Sequence, residues 1–481
     1  MTRMRTMKEF SLIINGDSVA TSDHFDVINP ADKSVVARCP KATVEQLNEA
    51  IVAAKAAFPA WSALTYAERR AKLMQLADAL EAKSNAFMTL LTQEQGKPTK
   101  GFADLGAGFE LGGTLAWIRS TASMELMPET IQDNEIAHIA IHRKALGVVG
   151  SITPWNYPLL MGIWHMIPAL ITGNTVIIKP SEMTPLTTLY FGKIAKDILP
   201  KGVLNVVTGA AGEIGEAMSS HKDIDKIVFT GSTPTGKAIM KSAANSLKRL
   251  TLELGGNDAG IVLADADIEA VAGKIFATAF INNGQTCAAL KRLYVHESVH
   301  DQLCEALTNI AGSVKTGNGL DVDTDFGPLQ NEKQLDIVKA LAQDAKERGA
   351  NFLCGGKVIN ETGYFYPITL VNNIQDGARL VDEEQFGPIL PIIKFKDVEE
   401  AIASANRLAV GLGGSVWSTD IKRAQDVASR LECGTVWINN HAMVQPDAPF
   451  GGVKDSGFGV AFGEAGLKEF TSIQTMQTFK S

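Results

Sequence analysis

The chain has little of what would mark a secreted, metal-bound or nucleic-acid-binding protein. It holds five cysteines, Cys39, Cys287, Cys304, Cys354 and Cys433, an odd count with no CxxC pair. That argues against a disulfide framework or a structural zinc site. It favours a reducing compartment, taken here as the cytoplasm. The eight histidines show no spacing suited to zinc, and none lies near Cys287 in sequence. A Cys–His hydrolase therefore has no evident base. There is no long basic run, and the net charge is −8, so neither nucleic acid nor an anionic membrane is an expected partner. Met1 to Phe10 is basic but carries no apolar segment, so no secretory signal is expected. A GxGxxG dinucleotide fingerprint is also missing.

One further absence points the other way. From Ala145 to Val176 there is no Asp, Glu, Lys or Arg, a stretch long enough to span a bilayer. It contains Pro154, Pro158 and Pro168, with Asn156 and His165. Prolines at that density break a helix and would leave backbone groups unsatisfied in lipid. A buried strand, a loop and a short buried helix fit better.

What is present is ordinary globular composition: 45% hydrophobic, 20% charged, with 43 glycines in 481 residues. This length predicts two to three domains. Residues 11–40 alternate around turn signals and predict short hairpins. Thr43 with Gln46, and Thr65 with Glu68, are spaced as capping boxes ahead of two amphipathic helices. Leu47, Ile51, Ala54 and Phe58 share a face of the first, and Leu73, Leu76 and Leu80 one of the second. Residues 135–143 look like a long strand. Short β-branched runs near 147–152, 174–179, 203–208, 226–230, 250–254 and 259–263 then alternate with helical segments. A second series follows: helix 268–280, strand 292–296, helices 298–315 and 330–348, and strands near 365–371, 389–395 and 434–438. The fold class is α/β, with parallel sheets covered by helices.

Several stretches could carry chemistry. Leu252-Glu253-Leu254-Gly255-Gly256-Asn257 ends a strand in a carboxylate, and 34 positions after it Cys287 sits in the polar turn Asn283-Gly284-Gln285-Thr286-Cys287. A base and a thiol make a nucleophilic pair, although a lone free cysteine is more often a small buried hydrophobe. Gly231-Ser232-Thr233-Pro234-Thr235-Gly236-Lys237 follows a strand and opens a helix, where an anion meets free N–H groups. It approaches a triphosphate loop, but Ala238 replaces the magnesium-binding hydroxyl. Lys179 and Glu182 stand at a strand end, where α/β sheets bind ligands or simply meet solvent. Asn156, within Pro154-Trp155-Asn156-Tyr157-Pro158, could satisfy backbone or aim its amide at an oxyanion. Glu384-Gln385-Phe386-Gly387-Pro388 and Pro449-Phe450-Gly451-Gly452-Val453-Lys454-Asp455-Ser456-Gly457 read by themselves as ordered turns.

Taken in order, these motifs resemble the successive signatures of the NAD(P)-dependent aldehyde dehydrogenase superfamily, from about residue 10 to the end. The resemblance implies a Rossmann-like cofactor domain (1–128 and 146–255), an α/β catalytic domain (256–466) and a small β oligomerisation flap (129–145 and 467–481). It implies a homodimer or homotetramer acting on a small-molecule aldehyde. Cys287 would attack the aldehyde, and Asn156 with the Cys287 N–H would hold the oxyanion. Hydride transfer would leave a thioester, which water activated by Glu253 would hydrolyse. Lys179 would serve the catalytic centre and, with Glu182, the adenosine ribose. Ser232 would meet the pyrophosphate, and Glu384 the nicotinamide ribose beside Phe386. Further cofactor contacts are implied for Ile152, Thr153, Pro154, Trp155, Ser181, Gly215, Phe229, Gly231, Thr235, Leu254 and Gly255. No metal is implied.

Glu182 would accept from the ribose hydroxyls and repel a 2′-phosphate, which favours NAD, with NADP as the alternative. Tyr157, Leu160, Met161, Trp164, Ile281, Thr286, Val444 and Phe450 would line the tunnel. Their apolar character favours a medium-sized aliphatic or aromatic aldehyde. A semialdehyde would need a cation, for which Arg119 and His441 are the candidates against a surface role for both. The rival readings are a coenzyme-A-acylating or esterolytic thiol enzyme, and a catalytically silent structural member. The presence of both Cys287 and Glu253 counts against them.

Overall fold

The computed structural model describes residues 10–359 and 362–480. The reading of residues 1–9 as lacking a signal segment lies outside them, as does Ser481 at the end of the expected flap. The α/β class is as expected. Three sheets organise the chain.

The largest has eight strands in the order Asp17–Val19, Leu12–Ile14, Leu204–Val206, Thr175–Lys179, Val148–Ile152, Lys226–Thr230, Arg249–Glu253 and Gly457–Phe458. From Leu204–Val206 to Arg249–Glu253 all neighbours are parallel. The chain leaves Val148–Ile152 toward one edge, then returns on its other side with Lys226–Thr230. Such a reversal opens a crevice at the carboxyl ends of the strands, where α/β sheets bind ligands. Residues 153–156 and 231–232 fall there. The second sheet has seven strands: Asn351–Cys354, Thr369–Asn372, Ile389–Phe395, Arg292–His296, Ala259–Val262, Gly413–Trp417 and Thr435–Ile438. The first of these is antiparallel and the rest parallel. Gly413–Trp417 was not expected, because its two leading glycines have low strand propensity. Nor was the edge strand Asn351–Cys354. A third, antiparallel sheet joins Thr471–Phe479, Ala137–Ala145 and Glu129–Asp133.

The uncharged stretch becomes the strand Val148–Ile152, a loop, and the helix Pro158–Ile171, of which all but Trp164 is buried. No helix among the described residues is long and apolar enough to cross a membrane. Tyr157 precedes this helix without capping it. Instead the buried Glu110 carboxylate accepts from Leu159 N at 3.0 Å and Leu160 N at 3.2 Å. A carboxylate there satisfies free N–H groups and suits the positive end of the helix dipole. Both capping boxes form, at Thr43 with Gln46 and at Thr65 with Glu68.

The late glycine loop does more than turn. Its segment Gly457–Phe458 adds antiparallel to Arg249–Glu253, pairing Glu253 with Gly457. The expected catalytic segment 256–466 therefore sends one short strand back into the first sheet. Leu254 N donates to Ser456 O at 3.0 Å, and the Ser456 hydroxyl donates to Gly255 O at 2.8 Å. The strand end that carries Glu253 is thus held from outside the sheet. Gly457 has φ +116°, and a Cβ there would lie 1.8 Å from Leu252 O. Gly457→Ala should cost roughly 2–4 kcal/mol through strain and overpacking. Gly112 has open space around it, so Gly112→Ala should leave the melting temperature unchanged or raised. Thermal unfolding of the two variants checks this; equal melting temperatures would contradict the steric argument.

Candidate active site

Cys287 follows a single tight turn, Ile281–Gly284, in which Asn282 and Asn283 adopt left-handed backbone. Asparagine tolerates that conformation better than most residues. Gln285 then pins the turn. Its Nε2 donates to Asn282 O at 3.0 Å, and its Oε1 accepts from Gln330 N at 2.8 Å. Asn156 is buried, and its Nδ2 donates to Gln285 O at 2.9 Å, two residues before the thiol. Its own carbonyl accepts from Asn282 Nδ2 and from Lys97 Nζ, both at 2.9 Å. Lys97 is buried and paired with Glu110, and its ammonium lies 3.8 Å from the centre of the Tyr157 ring. The Tyr157 hydroxyl meets Thr286 Oγ1 at 3.1 Å. One buried ion pair thus ties together the helix start, the Asn156 main chain and the residue before Cys287.

Cys287 and Glu253 line a common, mostly apolar cavity. Met161, Trp164 and Phe450 line it as well. So do Phe462 and Phe470, which the sequence did not single out. Burial pushes the Cys287 thiol up to about 12; Lys291 opposes this, while Asp258, Glu384 and Glu253 add to it. Burial also holds the Glu253 carboxyl well above the usual carboxylate range, with Glu469 adding to the effect. Neither Glu253 oxygen has a hydrogen-bond partner among the described residues. A buried carboxyl without partners is costly. A strongly shifted acid in a cleft beside a thiol is a mark of a functional site.

The other side of the site is the strand-end crevice. Lys179 is buried, its Nζ donating to Pro180 O at 3.3 Å. Burial lowers it to about 8, with Glu182 opposing. Glu182 itself is exposed, and Ser181 accepts from Met183 N at 3.3 Å. Ser232 precedes the helix Thr233–Ala243 without capping it, and its hydroxyl meets Thr235 Oγ1 at 2.9 Å. The N–H groups of that turn are not taken by a side-chain cap. Gly231 rests against the Phe229 ring, and Gly215 faces the Lys179 side chain. Across the crevice the Trp155 and Phe386 rings meet edge to face, 5.3 Å apart. Glu384 Oε1 lies 3.1 Å from Lys291 Nζ and accepts from Gly256 N at 3.4 Å. A Cβ on Gly255 would fall 2.4 Å from Glu384 Oε2. A side chain there would have to push that carboxylate aside.

A strand-end crevice with an open helix start, an acidic residue beyond one strand and a second carboxylate opposite fits a dinucleotide. The sequence profile described as the Aldehyde dehydrogenase family matches residues 18–476. The chain belongs to the aldehyde dehydrogenase family. It is an oxidoreductase of the aldehyde group. It is 38% identical over 460 residues to human retinaldehyde dehydrogenase 3, covering 94% of this chain and 89% of that one. It is 37% identical over 484 residues to phenylacetaldehyde dehydrogenase of Pseudomonas fluorescens, covering 97% and 95%. The NAD+ complex of aldehyde dehydrogenase from Bacillus cereus superposes with a TM-score of 0.95 at 36% identity, covering 99% and 98%.

Within this family framework, two candidates for a distal carboxylate fall away from the cavity. Arg119 is on the surface, bonded to Glu81 at 2.6 Å and Asp78 at 3.1 Å. Its partners come from the neighbouring helix Tyr66–Glu81, so the long side chain is drawn outward. His441 is not on the surface: it is fully buried, 3.6 Å from Asp258 and packed against Trp437. Tyr157 and Leu160 pack with Met161 and Trp164. Thr286 is half-buried beside Cys287, and Val444 packs on the same core. Ile281 lies instead in a small cleft with Phe102 and Phe326. Three charged residues of the site escaped the sequence reading: Lys97, Glu110 and Lys291. For Lys291 the available signal was a lysine one helical turn's spacing after the thiol; Lys97 and Glu110 meet only in three dimensions.

Proposed function

We propose that this chain oxidises an aldehyde to the carboxylic acid through a covalent intermediate on Cys287, resolved by water that Glu253 activates. The observation that carries the proposal is the shared apolar cavity, lined by both a thiol and a carboxyl group whose oxygens have no hydrogen-bond partner among the described residues. Cys287 Sγ, as thiolate, adds to the aldehyde carbon. The oxygen that becomes anionic falls to the Cys287 N–H and the Asn156 amide; one such donor is worth about 3–4 kcal/mol in a dry site. When bound, the nicotinamide accepts the hydride. The product left on Sγ is a thioester. Glu253 in its carboxylate form takes a proton from water, which adds to the thioester carbon and expels the thiolate. The presence of Glu253 favours hydrolysis over acyl transfer to a thiol cofactor.

Residues Ile152 to Trp155, Lys179, Ser181, Glu182, Gly215, Phe229, Gly231, Ser232, Thr235, Leu254, Gly255, Glu384 and Phe386 would hold NAD(P). Glu182, exposed beyond the strand end, favours NAD. The apolar wall and the outward turn of Arg119 favour a medium-sized aliphatic or aromatic aldehyde over a semialdehyde. The three-stranded sheet exposes Ile131, Ile473, Met476 and Phe479, and the bend between two of its strands exposes Ile136. These exposed apolar side chains support a homodimer or homotetramer built on residues 129–145 and 467–480. A cytoplasmic location is proposed with it, since a thiol nucleophile needs a reducing surrounding.

Cys287→Ala should abolish NADH formation. Glu253→Gln should give a burst of about one NADH per site and then stall, because the thioester is not hydrolysed. Stopped-flow absorbance reads both, and steady turnover by either variant contradicts the mechanism. Across an aldehyde panel, kcat/KM should be at least about tenfold higher for apolar aldehydes than for a semialdehyde, and KM lower for NAD than for NADP. Preference for the semialdehyde or for NADP would reverse these assignments. Light scattering of the purified chain should give a dimer or tetramer, and Ile473→Asp should weaken it; a monomer would remove the role of the exposed sheet.

A further inference from the structure

Lys291 takes no part in the mechanism above, yet it is among the most constrained charges in the site. It is 3% exposed. Its Nζ donates to the main-chain carbonyl of Cys287 itself and lies 3.1 Å from Glu384 Oε1. The Phe386 ring stands 5.9 Å away. Its main chain is fixed on both sides. Lys291 N donates to Asp258 O at 3.0 Å, and Lys291 O accepts from Gln385 Nε2 at 2.7 Å. The residue is therefore strapped between the segment that follows Glu253 and the segment that contains Glu384. The adjacent Arg292 is committed elsewhere, to the carbonyls of Asn257, Ser404 and Ala405.

We propose that Lys291 is a positioning residue whose single ammonium is shared between Cys287 and Glu384, coupling the ionisation of the thiol to the carboxylate of the cofactor crevice. This rests on the assignment of Cys287 as the nucleophile. The charged groups around the thiol are Lys291, Asp258, Glu384 and Glu253. Three are acidic, and His441 faces Asp258 from the far side. Lys291 is the one cation among those four. A buried lysine costs several kcal/mol of desolvation unless paired, and here both partners belong to the site. Removing Lys291 leaves the thiolate facing acids alone. Removing the Glu384 charge leaves the field of the ammonium on the thiol unopposed by that carboxylate. The two changes move thiol ionisation in opposite directions, which a merely structural lysine would not do.

The test follows alkylation of Cys287 by iodoacetamide between pH 6 and 10, with the labelled peptide quantified by mass spectrometry. Because the thiolate is the reacting form, Lys291→Met should slow labelling at pH 7.5 by about tenfold and move the profile to higher pH. Glu384→Gln should speed labelling and move the profile to lower pH. Lys291→Arg, which keeps the charge, should stay within about threefold of wild type. A Lys291→Met profile that superposes on wild type overturns the proposal. If Lys291→Met does not fold, slower or unchanged labelling in Glu384→Gln overturns it alone. The parent assignment fails separately: NADH formation by Cys287→Ala would refute the nucleophile whatever the labelling profiles show.

Discussion

Cys287 and Glu253 look into one largely apolar cavity, and burial drives each toward its neutral form. Neither neutral form is reactive in the role proposed for it. Everything else in the site works against that constraint or exploits it. The aromatic wall lowers the polarity around both groups, which strengthens each electrostatic interaction inside the cavity. Lys291 supplies the nearby positive charge. In the proposed reaction the Asn156 amide and the turn N–H groups would supply oriented dipoles, which need no reorganisation when charge develops. A wetter pocket would ionise both groups more readily and stabilise the transition state less.

Oriented dipoles demand a rigid frame, and the frame is made of buried charge. Lys97 and Glu110 are both essentially inaccessible. Together they satisfy two N–H groups of the helix Pro158–Ile171, the Asn156 carbonyl and the face of the Tyr157 ring. Buried pairs are poor sources of net stability, since desolvation offsets their attraction. Breaking one is costly, about 3–5 kcal/mol, because it leaves an uncompensated charge. The pair therefore penalises any conformation in which the Asn156 loop drifts from the helix start. Glu94 repeats only the capping carboxylate, accepting from Leu186 N at 2.7 Å and Thr187 N at 3.0 Å. It caps the helix that follows the Lys179 strand end.

Much of this was legible in the sequence because the relevant signals are local. The parallel strands are runs of β-branched residues between glycine turns, and the strand Lys226–Thr230 and helix Ile268–Phe280 fall where periodicity put them. The two capping boxes are four-residue patterns with a single geometric solution. What escaped is non-local. Gly413–Trp417 opens on two glycines and is a strand because neighbours on both sides pair with it. The loop ending in Gly457 looked like a bare turn, and only the fold shows it gripping the Glu253 strand. Long charged side chains are the least legible of all. Arg119 and His441 are equivalent candidates in the sequence, yet one is held outward by two acids and the other is sealed against Asp258. Where a flexible chain of methylenes ends depends on partners dozens of residues away.

The same electrostatics would let the two half-reactions proposed for Cys287 and Glu253 share one cavity, as follows from the charges in that mechanism. Glu253 raises the thiol of Cys287, and such interactions are mutual. A thiolate and a carboxylate close together in a medium of low polarity repel strongly, so the cavity favours one negative charge at a time. During attack on the aldehyde that charge belongs on sulfur, and a protonated Glu253 does not oppose it. Once sulfur is acylated the thioester is neutral. Repulsion from the thiolate disappears, and the carboxylate form of Glu253 becomes easier to reach at the stage where water must be deprotonated. Expulsion of the thiolate returns the charge to sulfur. On this account the desolvation that handicaps both groups also orders them in time: the covalent state of Cys287 sets when Glu253 can act as a base.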